Sequence, residues 1–183
     1  AHEYAASAVY TGKHVQHGAG SAEDAQALID IASAIAGSEE ELRKRPIVSI
    51  THTPITPLRY EHGDIEAAVM FARAGLPVVH LSMAISGSVC PVSLAGTIAL
   101  VNAENLAGFF ISQSAAAGAP VLYSSESGPM DMRTGVFPSG STEGGLSRRL
   151  AAYWPAPPAA VSSTARSSGE GSCQRAMNSV QSS

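Results

Sequence analysis

The chain has 183 residues, 45% of them hydrophobic and 14% charged, with 11 basic and 15 acidic side chains and a formal net charge of −4. This composition suits one domain with a real core and excludes whole-chain disorder, which needs low hydrophobicity and high net charge. There is no basic stripe for nucleic acid, and Asn102 and Glu104 interrupt the longest apolar run before it reaches the roughly 18 residues of a membrane span.

A helix-like pattern begins at the first residue, and residues 11–17 form a short strand candidate. Ser21 then opens a helix through Ala36, with Asp24 three positions on, close to a capping box. Gly37-Ser38 breaks it before a charged continuation over 39–45. Residues 46–51 are rich in β-branched side chains and read as a strand. A helix over 64–74 follows, with Asp64 as its N-cap and Gly75 as its stop. The rhythm repeats with a strand over 77–82, a helix over 93–117, a strand over 120–124 and a helix over 143–154. From Pro155 onward Pro, Ser, Gly and Ala dominate. The expected organisation is therefore a folded domain over 1–154 and a disordered tail over 155–183.

Strands alternating with helices predict an α/β fold with a parallel sheet. The turns at 75–76 and 118–119 are tight, whereas the loops over 51–63, 83–91 and 125–142 are long. The long loops follow strands, which places function at the C-terminal ends of the strands.

Several motifs narrow the chemistry. No P-loop or G-x-G-x-x-G is present, so no nucleotide cofactor is expected. His52 and His80 fall near the ends of consecutive strands; with a carboxylate beside them they would suit a metal-dependent barrel hydrolase. The competing reading makes His80 a core residue and leaves His14, His17 and His62 in solvent. Cys90 has no sequence signature of a paired base and reads as a structural thiol. Ser86-Gly87-Ser88 lacks the full G-x-S-x-G elbow. Cys90 and Cys173 make no disulfide framework, and with no signal peptide the expected compartment is the cytoplasm. Asn102 and Glu104, inside an apolar helix, fit either a solvent stripe or a polar contact to an adjacent loop. Asp131 and Arg133, two apart in a loop after a strand, fit either an internal loop pair or substrate binding.

Certain strings carry a resemblance: Pro54-Ile55-Thr56-Pro57-Leu58-Arg59-Tyr60, Pro91-Val92-Ser93-Leu94-Ala95-Gly96-Thr97, Asn102-Ala103-Glu104-Asn105-Leu106-Ala107-Gly108 and Met130-Asp131-Met132-Arg133-Thr134-Gly135. In this order, across about residues 20–154, they resemble the trimethylamine methyltransferase family, whose members act on trimethylamine, glycine betaine and other quaternary amines. The resemblance implies a (β/α)8 barrel and methyl transfer from an amine to the Co(I) of cobalamin carried on a separate corrinoid protein. The chain itself would bind no cofactor directly and no metal. A pocket at the barrel mouth would hold the amine cation by cation–π contact and carboxylates. By position, His52, Ser82, Tyr123, Glu126, Asp131 and Arg133 are the substrate-binding candidates; no residue is assigned to catalysis.

The chain also departs from the family. It holds about half of the strands of a barrel, it contains no pyrrolysine, and the segment 162–171 is mostly Ser and Gly. The expectation is therefore a C-terminal-half fragment of a non-pyrrolysine member. Its partners would be a corrinoid protein, a small amine and a second copy of itself, with no nucleic acid and no membrane. A non-catalytic remnant of such an enzyme is the alternative.

Overall fold

The computed structural model describes residues 1–153 and 160–162. Along the chain run α1 (His2–Tyr10), β1 (Val15–Gly18), α2 (Ala22–Ala36), α3 (Glu39–Lys44), β2 (Val48–His52) and α4 (His62–Ala74). Then come β3 (Val78–Ser82), β4 (Ile85–Ser86), α5 (Leu94–Ala115), β5 (Val121–Ser125), β6 (Gly128–Pro129), α6 (Thr142–Tyr153) and β7 (Ala160–Ser162). The fold is α/β. Five parallel strands lie in the order β1-β2-β3-β5-β7, and β4 pairs with β6 in a separate two-stranded ladder. The main strands sit in chain order, an arrangement that a partial barrel and an open, singly wound sheet share.

Local chemistry sets most of the boundaries. Ser21 Oγ accepts from the Asp24 amide at 3.1 Å and Ser38 Oγ from the Glu41 amide at 3.1 Å, so α2 and α3 are two capped helices rather than one with a continuation. Gly37 and Gly75 close α2 and α4 in the left-handed region, where a Cβ is costly. The predicted start of α4 is corrected: the helix begins at His62 behind Glu61, and Asp64 lies inside its first turn, where its charge complements the helix dipole. The expected boundary at residue 154 lies outside the described residues, as does most of the tail; β7 falls within the tail and pairs with β5.

The pleat divides the sheet into two faces. Register aligns Val48 with Val15, Ile50 with Val78 and Val78 with Val121. Val48, Ile50 and Val78 pack with Leu28, Ala32, Ala67, Phe71 and Leu42 beneath α2, α3 and α4. Val121 and Tyr123 pack with Val101 and Phe109 beneath α5. Each large side chain fully buried here stabilises the fold by about 1.5–3 kcal/mol. The alternate residues, Ser49 and Thr51, Val79 and Leu81, Leu122 and Ser124, belong to the opposite face.

Helix α5 corrects the expectation that no segment is long and apolar enough to cross a membrane: by length and composition it is. It lies instead against the sheet, with Glu104, Asn105 and Ser112 fully buried on its inner side. Glu104, Asn105 and Ser112 bond the protein's own strands and loops, as the buried side of a core helix requires.

Candidate functional site

The C-terminal ends of β2, β3 and β5 carry the three long loops, and one helix residue ties them to the sheet. Glu104 is completely buried. One carboxylate oxygen accepts from the Leu58 amide at 3.0 Å; the other accepts from Thr56 Oγ1 at 3.2 Å and from Ser82 Oγ at 2.5 Å. Its backbone carbonyl accepts from the Tyr60 hydroxyl. The polar-contact reading of Glu104 is the one the fold realises, and the solvent-stripe reading is not. Burying a carboxylate is tolerable only when donors surround it, and three do.

The loop held this way is the β2–α4 connection. Residues Ile55 and Arg59 bridge it with paired backbone hydrogen bonds, the Thr56–Pro57 peptide is cis, and Leu58 adopts φ +55. A left-handed leucine costs about 1–2 kcal/mol, which the Glu104 bond to its amide helps to offset.

The other loops are fastened nearby. Asn105 Nδ2 donates to the Ser124 carbonyl at 2.9 Å. Ser127 Oγ accepts from the Ala84 amide at 2.9 Å and donates to the Ser82 carbonyl. Thr97 Oγ1 and Ser86 Oγ both donate to the Pro91 carbonyl and lie 2.9 Å from each other, closing the β4–α5 loop onto the start of α5. Ser86 is therefore a loop fastener. Burial pushes the nearby Cys90 thiol up, the opposite of an activated nucleophile.

The sequence-derived candidates separate by face. His52, Ser82 and Tyr123 are buried on the helix side, under α5 and the β2–α4 loop. His52 stacks on Tyr60 with centroids 5.1 Å apart and 2° between planes, and its Nδ1 meets His80 Nδ1 at 3.0 Å. His80 Nε2 bonds Ser112 Oγ at 3.0 Å. Burial lowers His52 to about 4 and His80 to about 3, the latter also through its neighbour, so both rings are neutral near pH 7. Burial, with the Glu104 carboxylate close by, pushes Tyr60 up to about 12. His80 is the core residue of the competing reading. His62, by contrast, is exposed and faces Glu66 at 3.2 Å. His14 is not simply solvated: its Nδ1 lies 3.1 Å from the Pro46 carbonyl and its Nε2 2.8 Å from Ser49 Oγ.

Glu126 is exposed just beyond β5, and its amide continues the ladder to the Ser82 carbonyl. Strand parity puts it on the side of Ser124, away from Tyr123. Asp131 and Arg133 are exposed, and their contact runs through backbone: the Asp131 carboxylate accepts from the Arg133 amide and the Thr134 hydroxyl, each at 2.8 Å. Those bonds hold Asp131 below its ordinary value. The set thus splits into a buried trio and an exposed trio. The residues that parity brings to the face opposite the helices at the strand ends, Thr51 and Ser124, were not among the candidates; alternation along each strand was the signal that could have found them. No three His, Cys, Asp or Glu side chains converge as a metal site among the described residues. A cleft of about 330 Å³ between α2, α3 and α4 is lined by Arg43, Arg73 and Leu76, on segments entering β2 and β3, at the far end of the strands from the loops.

Residues 3–170 match the family model described as trimethylamine methyltransferase. The chain belongs to the trimethylamine methyltransferase family. It is 38% identical over 151 residues to the trimethylamine methyltransferase MttB of Desulfitobacterium hafniense strain DSM 10664 / DCB-2, covering 80% of this chain and 30% of the relative. The glycine betaine methyltransferase of D. hafniense strain Y51 is 37% identical over 139 residues, with 74% and 29% covered. The trimethylamine methyltransferase MttB1 of Methanosarcina mazei is 42% identical over 137 residues, with 74% and 28% covered. The chain spans about 30% of the length of these family members. The matched region takes in the Glu104 cluster and all three long loops.

Proposed function

We propose that this chain is part of a cytoplasmic enzyme that moves a methyl group from a tertiary or quaternary amine to the Co(I) of a separate corrinoid protein. The observation that carries this reading is the family match over residues 3–170, joined to relatives named for both trimethylamine and glycine betaine. The acceptor is a co-substrate brought by the partner. In the transfer the carbon–nitrogen bond breaks with its electron pair passing to nitrogen, while the cobalt electron pair forms the new bond to carbon. The amine departs neutral, so it must enter as a cation or an equivalent. The protein's task is to hold the methyl carbon in line, to exclude water and to present negative or polar groups to the cation.

In this reading the five parallel strands are about half of a (β/α)8 barrel, and the amine lies at their C-terminal ends. Glu126, beyond β5, supplies a carboxylate there, and Thr51 and Ser124 supply hydroxyls. The hydrolase alternative gains nothing, since His52 and His80 face α5 and bond each other, and no metal-ligand cluster forms around them among the described residues.

By itself the 183-residue chain is expected to be inactive, so the test places it in the matching segment of a full-length relative, adds a reduced corrinoid protein and either trimethylamine or glycine betaine, and follows the Co(I) absorbance. Amine-dependent loss of that absorbance is expected. No change with either amine, where a full-length relative methylates the same corrinoid protein, would overturn the reading for this chain and favour a non-catalytic remnant.

A further inference from the structure

Glu104 carries a role beyond packing. It sits at the middle of α5, fully buried, and no positive side chain pairs with it in the described structure. Its partners are a strand hydroxyl, a loop hydroxyl and a loop amide. Two of the three belong to the β2–α4 loop, and a third loop residue, Tyr60, bonds its backbone carbonyl. That loop holds a left-handed Leu58 and exposes Ile55, Leu58 and Arg59 at the end of the sheet where the long loops gather. A core carboxylate whose donors come mainly from a surface loop is poorly explained as a stabiliser of the core, because an apolar residue would fill the same space without a desolvation cost. It is well explained as a device that fixes the loop.

We infer that Glu104 is a positioning residue: through the Leu58 amide and the Thr56 hydroxyl it sets the conformation of the β2–α4 loop against Ser82 of β3, so that the loop tip from Ile55 to Arg59 is presented in one arrangement beside the strand ends. Its bearing on amine turnover rests on the methyltransferase reading above; its bearing on the loop does not. The Glu104 side-chain bonds run to the loop and to Ser82 on the helix side of the sheet, so it acts through the loop and not on the reacting atoms.

The experiment is residue-resolved amide hydrogen exchange on the full chain and on E104Q and E104A. Glutamine keeps an acceptor for Leu58, and the two hydroxyls can rotate to meet its amide group. Alanine removes every side-chain acceptor and leaves the backbone carbonyl that Tyr60 bonds. Leu58 exchange is expected to rise about tenfold or more in E104A and to stay within about threefold in E104Q. The amides of Ile50 and Val78, bonded across the sheet to the Pro77 and Pro120 carbonyls, should hold their rates in both variants. If E104A does not give folded protein, E104D carries the test. It keeps the charge but withdraws the carboxylate by one methylene, and the same selective rise at Leu58 is expected. Uniform acceleration of Leu58, Ile50 and Val78, or an unchanged Leu58, would overturn the inference. If the parent chain, placed in the full-length relative, turns over an amine, E104A should lose kcat/KM mainly through KM, with E104Q restoring most of it. A loss confined to kcat with no rescue by E104Q would instead make Glu104 part of the chemistry and also overturn the positioning role. A parent chain that turns over no amine in that setting bears on the methyltransferase reading alone, and the exchange result still decides this one.

Discussion

His52 and His80 occupy paired register positions on β2 and β3 and meet Nδ1 to Nδ1 at 3.0 Å beneath α5. Only one of the two nitrogens can carry the shared proton. His80 Nε2 is engaged with Ser112, whereas His52 Nε2 is buried without a hydrogen-bond partner. A second proton on the pair would set two donors face to face in a desolvated space. Burial holds His52 near 4 and His80 near 3, below the ordinary 6.5. The unfolded chain therefore binds more protons than the folded one between roughly pH 3 and 6.5, and stability rises with pH across that window. It is fully present above about pH 6.5 and is lost as pH falls. Urea midpoints are expected to be lower at pH 5 than at pH 7.5, and His52→Phe, which keeps a ring against Tyr60, should flatten the difference. His14, also lowered by burial, leaves a residual slope.

Gly108 is the position on α5 where His80 comes closest. A Cβ there would lie 2.3 Å from His80 Nδ1 and 2.9 Å from two further ring atoms. The ring is pinned by His52 and Ser112, so it has nowhere to move. Gly108→Ala should destabilise the fold by about 1–3 kcal/mol despite alanine's better helix propensity. In a His80→Ala background the same change should cost far less, and a double-mutant cycle in urea reads the difference.

Leu58 combines a left-handed backbone with a side chain that is 59% exposed. Glycine relieves the first and sacrifices little of the second. Leu58→Gly should leave stability unchanged or raise it by up to about 1 kcal/mol, a result opposite to that expected for most Gly substitutions. A thermal or urea midpoint that falls by more than about 1 kcal/mol would show that the Leu58 side chain packs more tightly than its exposure suggests.

Ser21 caps α2 through the Asp24 amide, and α2 supplies Leu28, Ile29 and Ala32 to the core. Ser21→Ala should cost about 1 kcal/mol and Ser21→Asp close to nothing, measured by urea unfolding.

The element order was largely readable before any coordinates. Ser21, Gly37 and Gly75 punctuate the helices through local backbone chemistry, and the β-branched runs of β2 and β3 need no distant partner to be recognised. The candidate site was half readable. The long loops after the strands were legible as the feature of the C-terminal end of the sheet, and Asn102-Ala103-Glu104-Asn105 stood out as polar residues in an apolar helix. Which strand residues face the helices was not legible: His52, Ser82 and Tyr123 lie on the helix side, and a shift of one residue in parity exchanges the two faces. In a parallel sheet both faces are apolar enough to hide that alternation.

What the sequence alone determined is whatever depends on near neighbours: caps, stops, strand propensity, and the run of strings that places the chain in its family. Tertiary structure alone decided the partners of Glu104, the meeting of His52 with His80, and the close approach of Gly108 to an imidazole. Each of these joins residues 22 to 48 positions apart along the chain. Their contact follows from strand register and helix docking, and these are settled by burial summed over the whole core and not by any local pattern.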